Sequence, residues 1–335
     1  MRVLLVGVGR WGEKHLRVWR ELGADVWVAD TSPERRAWAL RQGLPPARIV
    51  PEAAAALDAV DVVDVVTPAD GHAALAEGAL AARRHCFVEK PLALTAAEGR
   101  RLETAARQAG CVLQVGHIFR FHPATTVVRE ALEAGRIGGV RFATARFAGF
   151  KRPRADVGVT HTDAVHFFDL FAYLLRRPPA RVTAIRRDFL GRGLDDLSVT
   201  VVEYGDVATV VQADYFTPGA WRECTIVGEQ GSLVADYVAS TVTLHQAGHR
   251  RHDGGWEAVD TGKEDLSTDA GEPLRRELEA FRDACAGRRD NPVPAAAGVT
   301  ALEVVEAAAL AARLGRAVTL EEVQPGARPR LSSGR

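Results

Sequence analysis

Apolar residues follow two rhythms along this 335-residue chain. Over the first 120 or so positions, short unbroken apolar runs alternate with amphipathic segments. The runs are 2–6, 26–29, 49–50, 61–66, 86–89 and 112–116. Runs of this kind mark strands buried on both faces. Between them, Leu16, Trp19 and Leu22 share a helical face, and 73–82 and 96–109 read as helices. The alternation predicts a mostly parallel sheet with helices on both faces across residues 1–121. The rhythm then changes. A helix over 124–135 is closed by Gly135, and 140–150 alternates like a strand with one solvated face. A helix is expected over 163–175, then strands over 181–189, 197–204, 208–216, 222–227, 232–237 and 241–245. Turns at Gly205 and at 228–231 read as hairpins, and two helices, 272–286 and 296–314, follow. The pattern predicts an α/β domain, then an α+β domain over 122–323 with an antiparallel sheet and helices on one side. The Pro-, Gly-, Ser- and Arg-rich end, 324–335, is expected to be disordered.

The first strand breaks into Gly7-Val-Gly9-Arg10-Trp11-Gly12 and runs straight into a helix. This is the strand–turn–helix setting a dinucleotide fingerprint needs. Gly7 serves the tight turn, Gly9 the approach of a pyrophosphate, and Gly12 close helix–strand packing. Asp30 ends the second strand roughly 20 residues on, where a carboxylate meets a ribose 2′-hydroxyl. NAD is therefore the expected cofactor. NADP is the alternative, with Arg35 and Arg36 as the phosphate ligands that Asp30 would oppose. Thr67, Pro68 and His72 follow another strand end and are candidates to line the cofactor. Glu89 and Lys90, at a further strand end before Pro91, form a charged pair that is costly to bury for structure alone.

Charge narrows the partners. The 43 basic residues balance 43 acidic ones, so nothing in the totals points to nucleic acid. No apolar run reads as long enough to span a membrane. A strand beginning at residue 2 leaves no space for a signal peptide. Cys86, Cys111, Cys224 and Cys285 are scattered without metal-ligand spacing, which fits reduced thiols in the cytoplasm. No metal is expected.

Taken together, Gly7 to Gly12, Thr67-Pro68 with His72, Phe87-Val-Glu-Lys-Pro91, Val115-Gly116 with Arg120-Phe121, and Asp156-Val-Gly158 with His166 and Asp169 resemble the Gfo/Idh/MocA oxidoreductases over nearly the whole chain. The resemblance implies an α/β Rossmann domain and an α+β domain with a large, mostly antiparallel open sheet. It implies NAD(P), a sugar or cyclitol substrate, and an open sheet face that pairs subunits into a homodimer or homotetramer. It also implies that Lys90 and His166 meet at the reacting carbon. The family usually carries Asp four residues before the histidine. Here Thr162 stands there, flanked by His161 and Asp163.

Those residues suit oxidation of a secondary alcohol. His166 would take the hydroxyl proton, and Lys90 would stabilise developing alkoxide. Glu89 would hold the lysine or touch the nicotinamide side. Arg120, Thr162, Asp163 and Asp169 are candidates to bind substrate. With Thr162 offering only a hydroxyl, His166 is expected to be drawn less strongly toward its protonated form. The reading is thus an NAD-dependent dehydrogenase or ketoreductase of a sugar, cyclitol or nucleotide sugar. The alternatives are a retained cofactor used for transient oxidation, with glycoside cleavage or elimination, and a non-catalytic dinucleotide sensor.

Overall fold

The apolar runs do become the buried strands of a parallel sheet. The chain runs β1 (Arg2–Val6), α1 (Gly12–Glu21), β2 (Asp25–Ala29), α2 (Pro33–Arg41), β3 (Ile49–Val50), β4 (Val62–Val65), α3 (His72–Ala81), β5 (His85–Glu89), α4 (Ala96–Ala109) and β6 (Leu113–Gly116). Strand order is β3-β2-β1-β4-β5-β6, every pair parallel. Every residue of β4 and β6 is buried, as a strand covered on both faces requires. The computed structural model describes residues 1–324. The tail expected over 324–335 thus lies, but for Gln324, outside the described residues.

The rest of the chain adds α5 (Pro123–Glu133), β7 (Val140–Gly149), a π-helical turn (Thr160–Ala164), α6 (Val165–Leu175), β8 (Arg181–Arg187), β9 (Leu197–Tyr204), β10 (Val207–Asp214), β11 (Ala220–Gly228), β12 (Ser232–Asp236), β13 (Thr241–His252), β14 (Gly255–Leu266), α7 (Pro273–Cys285), α8 (Ala295–Leu314) and β15 (Val318–Thr319). Nine of these strands form one sheet in the order β14-β13-β12-β11-β7-β10-β9-β8-β15. It is antiparallel except where β10 runs parallel to β7. Burial alternates strictly along β9, the sign of one covered and one open face.

Two expectations need correction. The chain divides into a first unit of Met1–Ile118 with Glu272–Leu302, and a second of Phe119–Gly271 with the remainder. Residues 272–302 had been expected in the second domain. Leu274, Leu278 and Phe281 of α7 instead join the buried cluster of Val3, Leu5 and Trp19. Phe281 meets Trp19 and Phe87 edge to face at 6.4 and 5.6 Å. Nothing local in α7 reveals which core its apolar stripe will enter. Also, α8 is long and apolar enough to cross a membrane by length and composition, with 20 residues at a hydropathy of 1.6. Leu302, Val304, Val305 and Ala308 are buried within the fold, so its apolar character serves packing on several sides.

Candidate active site

In the first unit the strand order reverses between β1 and β4, and ligands of open α/β sheets gather at the carboxyl ends of such strands. Gly7 adopts φ +89°, and a Cβ there would lie 2.6 Å from the Val66 carbonyl oxygen. At Gly12 a Cβ would lie 2.0 Å from the Gly7 carbonyl oxygen, so only glycine lets α1 start this close. Gly9 has nothing within 4 Å of its Cβ position. Its backbone is bare, as an approaching pyrophosphate requires. Asp30 is fixed by the backbone N–H groups of Val8 and Ser32, each at 2.9 Å. A cavity of about 470 Å³ is lined by Gly7, Gly9, Asp30, Thr67, Pro68 and Leu75.

The cradle and the carboxylate at the end of β2 fit a dinucleotide with a free ribose hydroxyl. Arg35 is committed elsewhere: its Nε donates to the Val8 carbonyl at 2.6 Å and its Nη2 pairs with Glu13 at 2.5 Å. Arg36 donates to the carbonyls of Asp30 and Thr31. Arg10 is exposed at the turn. His72 does not line the cavity. It is buried, with Nδ1 2.7 Å from the Pro91 carbonyl oxygen and Nε2 2.9 Å from that of Thr67. Both ring nitrogens are engaged in tying the Thr67-Pro68 turn to the cis Lys90-Pro91 step.

Below Lys90 lies a chain of buried polar groups. Glu89 accepts from the Trp11 indole N–H at 2.7 Å and from the Lys90 backbone N–H at 3.2 Å. His15 Nε2 lies 3.3 Å from the same carboxylate, and its Nδ1 lies 2.9 Å from Asp64. Trp19 donates to Asp64 at 2.6 Å. Burial opposes charge on His15 most strongly, yet the attraction and hydrogen bond of Asp64, joined by those of Glu89, lift its pKa to about 10. Burial likewise works against ionised Glu89, but His15, Trp11 and the Lys90 charge hold its pKa below the ordinary value. Trp11 and Glu89, both expected at the cofactor, thus face each other.

In the second unit His166 sits at the start of α6, stacked on Phe119 at 4.7 Å and on Phe147 at 5.3 Å, the latter ring only 4° from parallel. The preceding turn, Thr160–Ala164, is π-helical, so Thr162 and His166 are not related by the one-turn spacing of an α-helix. The Thr162 hydroxyl lies 3.0 Å from the Tyr215 hydroxyl. Burial is the main cause of a Tyr215 pKa pushed up to about 12. Asp163 is paired with Lys151 at 2.7 Å. Arg120 and Asp169, expected to hold substrate, bind each other. Arg120 Nε and Nη2 reach the two Asp169 oxygens at 2.8 and 2.5 Å, both side chains nearly or fully buried. A two-point pair of this kind braces the turn at Ile118–Phe121 against α6.

The profile described as the NAD-binding Rossmann fold of an oxidoreductase family matches residues 1–117, and that of its C-terminal alpha/beta domain matches 129–320. The chain belongs to the Gfo/Idh/MocA oxidoreductases. UDP-N-acetylglucosamine 3-dehydrogenase of Acidithiobacillus ferrooxidans is 30% identical over 86% of this chain and 90% of its own. Inositol 2-dehydrogenase 1 of Saccharopolyspora erythraea is 31% identical over 96% of each. The solved structure of the Acidithiobacillus ferrooxidans enzyme superposes with a TM-score of 0.82 at 26% identity, covering 94% of this chain and 98% of that one.

As in the family at large, this Gfo/Idh/MocA chain assigns NAD to its first unit. The structure gives Lys90 to that unit and His166 to the second. Sequence reasoning missed Asp64 and His15. A carboxylate inside the run Val-Val-Asp-Val-Val, and a histidine beside Leu16 on the apolar face of α1, were the available signals. Tyr215, Phe147 and Arg222 carried none, since each fits an ordinary strand pattern.

Proposed function

We propose that this Gfo/Idh/MocA protein is an NAD-dependent dehydrogenase, or ketoreductase in reverse, of a secondary alcohol on a sugar, cyclitol or nucleotide sugar. The observation that carries the reading is the aromatic cluster around His166, a buried imidazole packed against the rings of Phe119 and Phe147 at 4.7 and 5.3 Å, with those two rings 6.0 Å from each other. Proton transfer there is shielded from bulk water. NAD, when bound, supplies the hydride chemistry. His166 takes the alcohol proton, or returns it to a ketone. Lys90 donates a hydrogen bond to the reacting oxygen and stabilises its developing negative charge. Glu89, pinned by Trp11 and His15, fixes the backbone from which Lys90 projects. The relatives named for UDP-N-acetylglucosamine and for inositol support the substrate class.

Two further properties belong to the same reading. The open face of the nine-stranded sheet leaves Phe142, Ile185 and Trp221 at 44, 53 and 37% exposure, which supports a homodimer or homotetramer through that face. The four cysteines are unpaired, which supports a cytoplasmic setting.

The test is the absorbance of reduced nicotinamide, with NAD and a panel of cyclitols, free sugars and nucleotide sugars. Wild type is expected to reduce NAD with at least one member, and Lys90→Ala to lose about 10²- to 10⁴-fold in kcat. Nicotinamide retained through purification, with no net turnover, would instead mark the retained-cofactor alternative. No turnover and no retained nicotinamide would count against catalysis.

A further inference from the structure

Phe147 carries two cations. Arg222 lies directly across from it on the neighbouring strand β11, with its guanidinium carbon 3.9 Å from the ring centre. The Lys151 ammonium is 4.9 Å from the same ring and 5.4 Å from Tyr215. Lys151 has an acid partner in Asp163. Arg222 has none among the described residues. Its hydrogen bonds run from Nη1 to the carbonyl oxygens of Ala148 and Trp221, at 3.2 and 3.0 Å, so Nε and Nη2 have no acceptor in the described protein. Burial with no carboxylate at hand holds its pKa below the ordinary arginine value, although the charge of Asp163 pulls the other way.

Arg222 is half-buried against the ring, and this partial loss of water strengthens its attraction for a counter-charge. A guanidinium sheds water readily onto an aromatic face, but its open N–H fork still calls for paired oxygens. Around Phe147, Arg222 and Lys151 stand against one carboxylate, Asp163, which leaves one positive charge uncompensated. Phe147 also lies 5.3 Å from His166. Arg222 is therefore no farther from the imidazole than the two ring spacings laid end to end. A substituent on a substrate whose hydroxyl meets His166 can reach it.

We propose that the second unit selects sugars bearing an anionic substituent, a carboxylate or phosphate, and that Arg222 is its receptor. The inference rests on the assignment of His166 to the reacting alcohol. It narrows the substrate class from sugars and cyclitols at large to their charged forms. Two parallel N–H···O bonds from the guanidinium to the anion supply both affinity and orientation.

The experiment is calorimetric titration of the full chain, saturated with NAD, with matched pairs: a hexose and its uronate, a hexose and its 6-phosphate, an N-acetylhexosamine and its UDP derivative. UDP alone and inorganic phosphate separate a diphosphate source from a carboxylate on the ring. At least one anionic member is expected to bind about 10-fold or more tightly than its neutral partner, with that preference falling as salt rises. Arg222→Gln is expected to abolish the preference and leave neutral binding unchanged, and Arg222→Lys to restore part of it. No preference for any anionic member in wild type, at any salt concentration, overturns the proposal whether or not the variants fold. So does a preference that survives Arg222→Gln. Turnover of neutral sugars alone would overturn the anion site and leave the dehydrogenase reading standing. Anion binding through Arg222 without turnover would do the reverse.

Discussion

His15 is held between Asp64 and Glu89 with no exposure of its ring, and the two carboxylates together overcome the penalty of burying a charge. The group's ordinary pKa is near 6.5 and its folded value about 10. Folding therefore favours the protonated ring. The stabilisation is complete below pH 6.5 and is lost as pH rises through about 10. Thermal unfolding from pH 6 to 10.5 should show wild type losing stability across that window. His15→Gln should be less stable at pH 7 by a few kcal/mol, on the order of a broken buried pair, and flatter in its pH dependence. Equal slopes in the two proteins would refute the charged assignment. The residue also shows where sequence reading stops. Lys90 was a candidate in the sequence because a charged pair closes a strand, and His166 because the family pattern carries a histidine there. The support beneath Lys90 was not, because three side chains from β4, α1 and β5 become neighbours only when the parallel sheet forms.

At the scale of elements, the turn between β1 and α1 separates packing from binding. A Cβ at Gly12 would collide with the Gly7 carbonyl, whereas one at Gly9 would meet open space. Gly9→Ala should therefore leave the unfolding midpoint of the cofactor-free protein within about 0.5 kcal/mol of wild type, while weakening NAD at least about 10-fold. Gly12→Ala should lower both stability and affinity. Fluorescence titration with NAD, beside thermal unfolding, checks the pair, and equal behaviour of the two variants would contradict the division of labour. The same turn was readable in the sequence because glycine spacing carries geometry directly. β14 was not. Among the described residues it pairs with β13 alone, and its residues from Gly255 to Leu266 are almost all exposed, so no buried face imprints a two-residue period. Likewise, nothing in the composition of 160–164 distinguishes a π turn from an α-helical one.

At the scale of the whole molecule, the open sheet face is the feature with a testable outcome. Sedimentation should find a dimer or tetramer, and Phe142→Asp with Ile185→Asp should shift it toward the monomer while leaving the α-helix and β-sheet content unchanged. A wild-type monomer at micromolar concentration would refute pairing through this face. The parallel sheet and the mixed sheet were both legible, since burial on two faces and on one face write different periods. The return of 272–302 to the first unit was not, because it depends on contacts spanning more than half the chain. That return dictates an order of events at the ribosome. Trp19 and Phe87 emerge early, yet Phe281, the ring that covers both, is translated near the end. The nascent nucleotide domain must wait, with that apolar surface uncovered, through synthesis of residues 119–271, the larger part of the second unit. Chains that terminate before residue 272 will therefore be targets for chaperones and proteases, and none of them will retain an independent, finished NAD-binding half.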